Sequence, residues 1–165
     1  MPHKKAITKA FLTYDISLVS VMNIPDDMEH ICTVFSCLAK HEINVDMISQ
    51  TAPFQGKIDI SFSIPSEYLA KTMLAFEDAR KTLKNLQLEV DAYNSKISFF
   101  GEKMKEIPGV AAGLFALFSR NRIMIKMITT SENDISILIF EKDTDSAEKL
   151  IKSEYELDTF EIHQF

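Results

Sequence analysis

The chain has 165 residues, with 18 Lys or Arg against 24 Asp or Glu, so its formal net charge is −6 and its isoelectric point lies near 5.2. An acidic chain lacks the basic surface that displaces counterions from a phosphate backbone, so we expect no nucleic-acid partner. It has no apolar run long enough for a membrane helix and no signal-peptide pattern, so we expect a soluble cytoplasmic protein with no membrane partner.

The amino-terminal part predicts two strands and a helix. Residues 6–14 are apolar enough for an extra strand, and residues 16–21 predict the first strand of a larger unit. Pro, Asn and Asp in segment 23–27 predict a turn and a helix N-cap. Cys32 and Cys37 lie about 140° apart round the helix, which predicts free thiols. The apolar stripe of this helix comprises Ile31, Val34, Phe35 and Leu38.

Four more elements complete this first unit. Residues 43–49 predict a strand, and the strict alternation of apolar and polar residues over 58–64 predicts a half-buried one. A second helix starts at Pro65, and residues 86–90 close the unit as a strand. The apolar side of the second helix is predicted to contain Leu69, Met73, Phe76 and Leu83. The predicted order is βαββαβ.

The rest of the chain repeats this order, although its last strand has no clear pattern. The predicted elements are strand 96–101, helix 109–121, strands 123–129 and 134–141, and helix 144–155. Residues 135–140 are apolar on both sides of the strand, so we expect both faces to be buried. An interface with the other unit or with a second chain would bury the face of the strand that the helices leave uncovered.

Local similarities support a duplication with a period of about 80 residues. The paired segments are 43–50 with 123–130, 16–19 with 97–100, and 59–62 with 134–137. We therefore predict a first domain over residues 15–92 and a second over 95–165, with residues 6–14 added to the second as an N-terminal strand.

No recognisable catalytic motif is present. Phosphate-binding loops, dinucleotide fingerprints, HExxH and GxSxG are all missing from the sequence. His30 and His41 share one helix but are about 16 Å apart, too far to share a metal ion. Adjacent carboxylates such as Asp26 and Asp27 are more often helix caps than acid-base pairs. We expect a protein without catalytic residues, metal or cofactor.

The loops that precede a helix in each half are the best candidates for binding. Residues 23–30 and 102–109 each lead to a helix whose free N–H groups suit a carboxylate. Asp46 is able to meet an ammonium group, so a small zwitterion such as an amino acid fits this arrangement. A turn and cap with no ligand is the alternative that these residues leave open.

Specific segments resemble the paired ACT domains of aspartokinases. Residues 101–104 (Gly-Glu-Lys-Met), 107–112 (Ile-Pro-Gly-Val-Ala-Ala) and 127–132 (Met-Ile-Thr-Thr-Ser-Glu) resemble the second ACT domain. Residues 43–48 (Ile-Asn-Val-Asp-Met-Ile) and 59–62 (Asp-Ile-Ser-Phe) look like its companion. The resemblance implies an α+β fold of two tandem ferredoxin-like βαββαβ domains, with antiparallel sheets and helices on one face.

The function implied by the resemblance is regulatory. Such a module senses lysine, threonine or both and controls a kinase that phosphorylates the β-carboxylate of aspartate. Nothing in the chain resembles the kinase domain, so we expect either a free-standing regulatory subunit or the regulatory region of a longer enzyme. The implied partners are a second copy, through the ACT domains, and a catalytic aspartokinase chain.

The resemblance also implies effector-binding positions in both units. In the first unit Asp46 would hold the effector's amino group. The other implied positions there are Asn23, Ile24, Asp26, Met28, Asn44, Val45, Gln50 and Thr51. In the second unit the implied positions are Met104, Ile125, Thr130, Ser131 and Glu132.

Several residues depart from the family pattern. Asp26 would repel an incoming carboxylate, Met124 replaces a usual asparagine, and Lys126 stands where the first unit has Asp46. We expect unequal pockets and favour the first, which keeps Asn44, Asp46 and Gln50 together. The main alternative is a structural dimerisation module with vestigial pockets.

Two other classes with the same order of elements fit less well. An acylphosphatase-like hydrolase needs an arginine in a strand-to-helix loop, and these loops have none. An RNA-binding module needs a basic surface, which the acidic isoelectric point opposes.

Overall fold

The computed structural model describes residues 5–163. Its strands and helices are, in chain order, β1 (Lys9–Pro25), α1 (Met28–Lys40), β2 (Ile48–Gln50), β3 (Lys57–Pro65), α2 (Leu69–Ala79), β4 (Gln87–Phe100), α3 (Val110–Arg120), β5 (Ile125–Thr130), β6 (Asp134–Phe140), α4 (Thr144–Glu154) and β7 (Thr159–His163). Short 3-10 turns lead into α2 and α4, and another lies in the loop before α3.

The elements form two compact units. The first unit comprises residues 16–92, and the second combines the chain up to Asp15 with the chain from Tyr93 onward. The divisions fall within β1 and β4, at residues with positive φ: Asp15 has a φ of 57° and Tyr93 a φ of 62°. Few non-glycine residues adopt this conformation, so both strands depart locally from extended geometry where the units divide.

The first unit is the predicted βαββαβ arrangement. Its sheet has the order β2-β3-β1-β4, and β3 is antiparallel to both of its neighbours. The alternation predicted over 58–64 is confirmed from Ile58 to Phe62, where Ile58, Ile60 and Phe62 are at most 1% exposed, but it ends there because Ser63 is also buried. Phe62 packs against Phe76 of α2, with 6.3 Å between ring centroids. Each such buried side chain stabilises the fold by about 1.5–3 kcal/mol.

Strand lengths in the first unit differ from the prediction. β1 does not end at residue 21 but continues to Pro25, across a register shift between Val21 and Ile24. The predicted strand 43–49 is wrong for most of its length, because β2 comprises only Ile48–Gln50. Residues 86–90 and 96–101 lie mostly within one long strand, β4, rather than in two.

The buried face of α2 also differs from the prediction. Phe76 is buried, and Leu83 is buried beyond the helix end, but Met73 is 37% exposed. The small side chains Thr72, Ala75 and Ala79 form much of the buried face instead. Close packing selects these small residues, which a stripe of large apolar residues does not reveal.

The second unit has the same order of elements with one added strand. Its sheet order is β7-β1-β4-β6-β5, so the amino-terminal part of β1 lies between β4 and β7. β1 and β7 run parallel, from Lys9 opposite Thr159 to Thr13 opposite His163. Ile7, Ala10 and Leu12 are at most 1% exposed in the core of this unit.

β6 has no polar face. All five residues from Ile135 to Ile139 are buried, including Ser136 at 5% and Leu138 at 0% exposure. The predicted burial of both faces is therefore confirmed. The Ser136 hydroxyl is hydrogen-bonded although it is buried, since it lies 2.7 Å from Ser98 Oγ and donates to Asp134 Oδ1 at 3.0 Å.

Both cysteines are free thiols, as predicted. Cys32 is exposed, whereas Cys37 is buried and desolvation raises the pKa of its thiol to about 11. Within residues 5–163 every helix is too short or too polar to span a bilayer.

Candidate effector site

One end of the first unit gathers the loop before α1 and the β2–β3 connection. The amide of Asp26 donates to the carbonyl of Gly56 at 3.1 Å, which ties the two segments together. The amide of Asn23, a residue with a φ of 61°, donates to Asp59 Oδ1 at 2.9 Å. The Asp59 amide in turn donates to Thr51 Oγ1 at 2.9 Å. Asp59 thus connects Asn23 with Thr51, and the bond from Asp26 to Gly56 holds the neighbouring loop. The structure therefore brings together three predicted effector positions, Asn23, Asp26 and Thr51.

Asp27 caps the start of α1. Its carboxylate accepts a hydrogen bond from the His30 backbone N–H at 2.9 Å, and its two oxygens lie 2.7 Å from His30 Nδ1. The backbone N–H of His30, and then its ring, hold the pKa of the Asp27 carboxyl below its usual value. The N-cap predicted for segment 23–27 is confirmed. The Asp27 carboxylate thus binds a backbone N–H group at this end of α1. Met28 beside it is 73% exposed.

The predicted positions within residues 44–50 lie in a largely exposed segment in and before β2. Asn44, Asp46 and Gln50 are exposed, and Val45 packs partly against the core of the unit. The Asp46 amide donates to the Ser63 carbonyl at 3.0 Å, which fixes the backbone where the predicted strand would have been. Asp46 therefore presents its carboxylate from an irregular segment anchored to β3.

A cavity of about 210 Å³ contains two of the predicted first-unit positions, Asn23 and Ile24. Ile24 is only 2% exposed, so its side chain belongs mainly to the core. Asp26, Met28 and the predicted positions within residues 44–51 do not line this cavity. The structure therefore places two of the predicted first-unit positions at the cavity and the others outside it.

In the second unit, the turn between β5 and β6 approaches the loop before α3. The Gly101 amide donates to the Asn133 carbonyl at 3.0 Å, and Lys105 Nζ lies 3.8 Å from Glu132 Oε2. Ser131 closes the turn by donating its amide to the Asp134 carbonyl at 2.8 Å. Thr130, Ser131 and Glu132 are thus exposed together at one end of the unit, in the place that corresponds to Thr51 in the first unit.

The other two second-unit positions are more enclosed. Met104 is 8% exposed and belongs to the hydrophobic core, and Ile125 packs against that core. Their apolar side chains have a structural role in this conformation. α3 also begins differently from α1, since Gly109 is its N-cap with a φ of 89° and no side chain caps the helix.

Lys126, the counterpart of Asp46 in the repeat, is held within its own unit. Its Nζ donates to Asn94 Oδ1 at 2.6 Å and lies 3.5 Å from the centre of the Phe140 ring. Asn94 is fully buried, so Lys126 supplies a buried amide with a charged hydrogen-bond donor. Where the first unit has the exposed acid Asp46, the second unit thus has a lysine whose charge is used within its own fold.

Two polar residues at these ends were missed as site candidates. Asp59 connects Asn23 with Thr51, but in the sequence it reads only as the polar face of a strand. Asn133 has a buried Oδ1 with no hydrogen-bond partner in the described part of the chain. Its position beside Ser131 and Glu132 is the one signal that the sequence offered.

No three His, Cys, Asp or Glu side chains among residues 5–163 lie close enough to hold a metal ion.

Comparison with known sequences gives a consistent result. The ACT domain profile matches residues 31–79 and 97–155, one segment in each unit. An aspartokinase of Bacillus sp. (strain MGA3) is 34% identical over 143 residues, which is 87% of this chain but 35% of that relative. The chain spans about a third of the length of the curated relatives it matches.

Comparison with solved structures points to the regulatory part of these enzymes. The ligand-free regulatory subunit of aspartate kinase from Thermus thermophilus is 27% identical, with a TM-score of 0.81, covering 92% of this chain and 100% of that chain. A chain in a structure of aspartokinase alpha and beta subunits is 28% identical, with a TM-score of 0.81, covering 90% of this chain and 98% of that chain.

Proposed function

The chain belongs to the ACT domain family, and on that premise we propose that it is a non-catalytic regulatory module that binds lysine, threonine or both and controls an aspartokinase. The observation that carries the proposal is the extent of the similarity. It covers nearly the whole of a regulatory subunit of aspartate kinase and of a chain in a structure of aspartokinase alpha and beta subunits, but only about a third of the curated aspartokinases it matches. The duplicated units thus correspond to the regulatory part of the enzyme.

The first unit is the better candidate for the effector. Asp46 is an exposed carboxylate that offers a partner for the ammonium group of an amino acid, and Asn44 and Gln50 flank it with exposed amides. The capped start of α1 is a poorer partner for the effector's carboxylate, because Asp26 and Asp27 place negative charge there. We therefore propose that the ammonium group is bound by Asp46 and that the carboxylate is directed towards backbone or amide donors.

The proposed partners follow from the same similarity. We propose that two copies associate through their ACT domains and that the assembly acts on a catalytic aspartokinase chain in the cytoplasm. An amino acid regulates such an assembly only if it binds one packing arrangement better than another. Asp46, which has no equivalent acid in the second unit, would make this differential contact.

Regulation is tested by measuring aspartokinase activity of a catalytic chain with and without this protein, across a series of lysine and threonine concentrations. We expect an effector response that depends on this protein. Asp46→Ala should shift the half-maximal effector concentration at least about tenfold, because a hydrogen bond to a charged group contributes roughly 1.5–3 kcal/mol.

Glu42→Ala is the matched control, since Glu42 is a nearby acid with a 91% exposed side chain. An unchanged response in Asp46→Ala would remove Asp46 from the effector site. An equal shift in both variants would indicate a general effect of charge instead.

The alternative is a structural dimerisation module with vestigial pockets. The burial of Met104 and the engagement of Lys126 favour this role for the second unit, because both side chains are used internally. It predicts that the module associates with itself and with the catalytic chain equally well whether or not an amino acid is present.

A further inference from the structure

The 210 Å³ cavity of the first unit is built from four segments, none of them β2. Its walls are the end of β1, His30 in the first turn of α1, the start of β3, and the connection between α2 and β4. Ile24 and Leu83 give it an apolar base, at 2% and 6% exposure. A hydrogen bond of 2.9 Å from Asn23 Nδ2 to Gln87 Oε1 joins β1 to β4 beside it.

The polar side chains that line this cavity are basic or neutral. Lys57, Lys84 and His30 supply the basic groups, and no acidic side chain lines it. Within residues 5–163, neither lysine forms an ion pair. Asn23, Asn85 and Thr82 add neutral hydrogen-bonding groups. The side chains that line the cavity therefore include two lysines and no acid.

The nearby carboxylates are already engaged. Asp27 is bound to His30 at 2.7 Å, and Asp59 accepts a hydrogen bond from the Asn23 amide at 2.9 Å. Nδ1 of His30 faces the Asp27 carboxylate and donates to it, so Nε2 donates to an anion only when the ring is protonated. Asp27 and Asp59 keep their negative charge, and Lys57 and Lys84 are the cations that offset it.

We propose that this cavity binds a small organic carboxylate with a short aliphatic chain. The carboxylate would lie between Lys57 and Lys84, on the side of the cavity away from Asp27, and the aliphatic part would contact Ile24 and Leu83. An apolar base combined with a basic rim favours such a ligand over a bare inorganic anion. The site is separate from Asp46, so it stands whether or not the amino-acid effector site is found.

The proposal is tested with butyrate as the probe in an NMR titration of the isotope-labelled full chain. We expect saturable shifts at millimolar concentrations in the signals of residues 23–30, 57 and 82–86, and no such shifts with butylammonium. The double variant Lys57→Gln/Lys84→Gln should weaken butyrate binding at least about tenfold. Lys71→Gln, at another partly exposed lysine of the first unit, should leave it unchanged.

Three results would overturn the proposal. Without saturable shifts for butyrate, the cavity binds no such ligand, and an equal response to phosphate would remove the role of the aliphatic part. Equal weakening in Lys71→Gln would indicate non-specific attraction to positive charge. Titration of the same sample with lysine and threonine tests the effector site separately, because shifts at residues 44–51 report on Asp46, whereas shifts at residues 57 and 82–86 report on the cavity.

Discussion

A single side chain, Asp27, determines the chemistry at the start of α1. It caps the helix and pairs with His30, so the His30 N–H at this helix end already donates to a carboxylate. The second unit has Gly109 at the same place and no side-chain cap. The two units thus offer different partners to an anion at corresponding positions.

The Asp27 cap should contribute measurably to thermal stability. Asp27→Ala is expected to lower the melting temperature by a few degrees, and Asp27→Asn by less, because asparagine also caps helices well. The charge-dependent part should be present above the unfolded-state pKa near 3.9 and lost as pH falls through the lowered folded-state pKa. Calorimetric scans over an acid pH series measure this difference, with Asp26→Ala as the control. A constant gap between wild type and Asp27→Asn at every pH would contradict the role of the charge.

Lys126 gives a second prediction for an individual residue. Lys126→Met keeps much of the aliphatic volume but removes the ammonium group from the buried Asn94, so it should destabilise the protein by about 1–3 kcal/mol. Urea denaturation measures the change. Lys142→Met is the control, because Lys142 lies 5.0 Å from the centre of the same Phe140 ring. Equal effects of the two substitutions would show that the ring contact, not Asn94, matters.

Helices were more predictable than strands along this chain. The helix predicted over 109–121 is observed as Val110–Arg120, because Gly109 before it and the polar residues after it are local signals. The extent of β2, by contrast, is set by how far it pairs with β3, which a local pattern does not contain. β4 likewise continues through Tyr93 despite the positive φ of that residue, because the strand pairs with its neighbours in the sheet.

The β2–β3 connection is an element that the repeat pattern concealed. Eight positions separate Thr51 from Asp59, whereas three separate Ser131 from Asp134. The longer connection ends in a tight turn at Gln55 and Gly56, which both have positive φ, and Phe54 there is 74% exposed. The two units therefore differ in a connection next to the predicted effector positions.

The amino-terminal strand is predicted to stabilise the second unit. Leu12→Ala should cost about 2–5 kcal/mol, because Leu12 is 1% exposed in the core of that unit. Hydrogen exchange should become faster in β6 and β7 while β3 keeps its protection. Thr13→Ala, at the next position of the strand, is the control. Faster exchange confined to β3 would contradict the assignment of this strand.

For the whole molecule, the sequence was sufficient for the fold and for the family. The duplication and the segments around residues 101–112 and 127–132 preserve the order of elements, and both halves match the ACT domain profile. The candidate site was less predictable, since Asp59 and the basic cavity depend on contacts between segments that are distant in the chain. Predicting which ligand binds requires the geometry of those contacts, which no single segment of the sequence contains.

The central claim is that this chain senses an amino acid, and calorimetric titration of the full chain with lysine and with threonine tests it most directly. We predict saturable heat with at least one of them, and a melting temperature that rises with its concentration, as required of a ligand that binds only the folded state. Asp46→Ala should weaken that binding at least about tenfold. Absence of both heat and thermal stabilisation at millimolar concentrations of either amino acid would contradict the claim and leave the structural role.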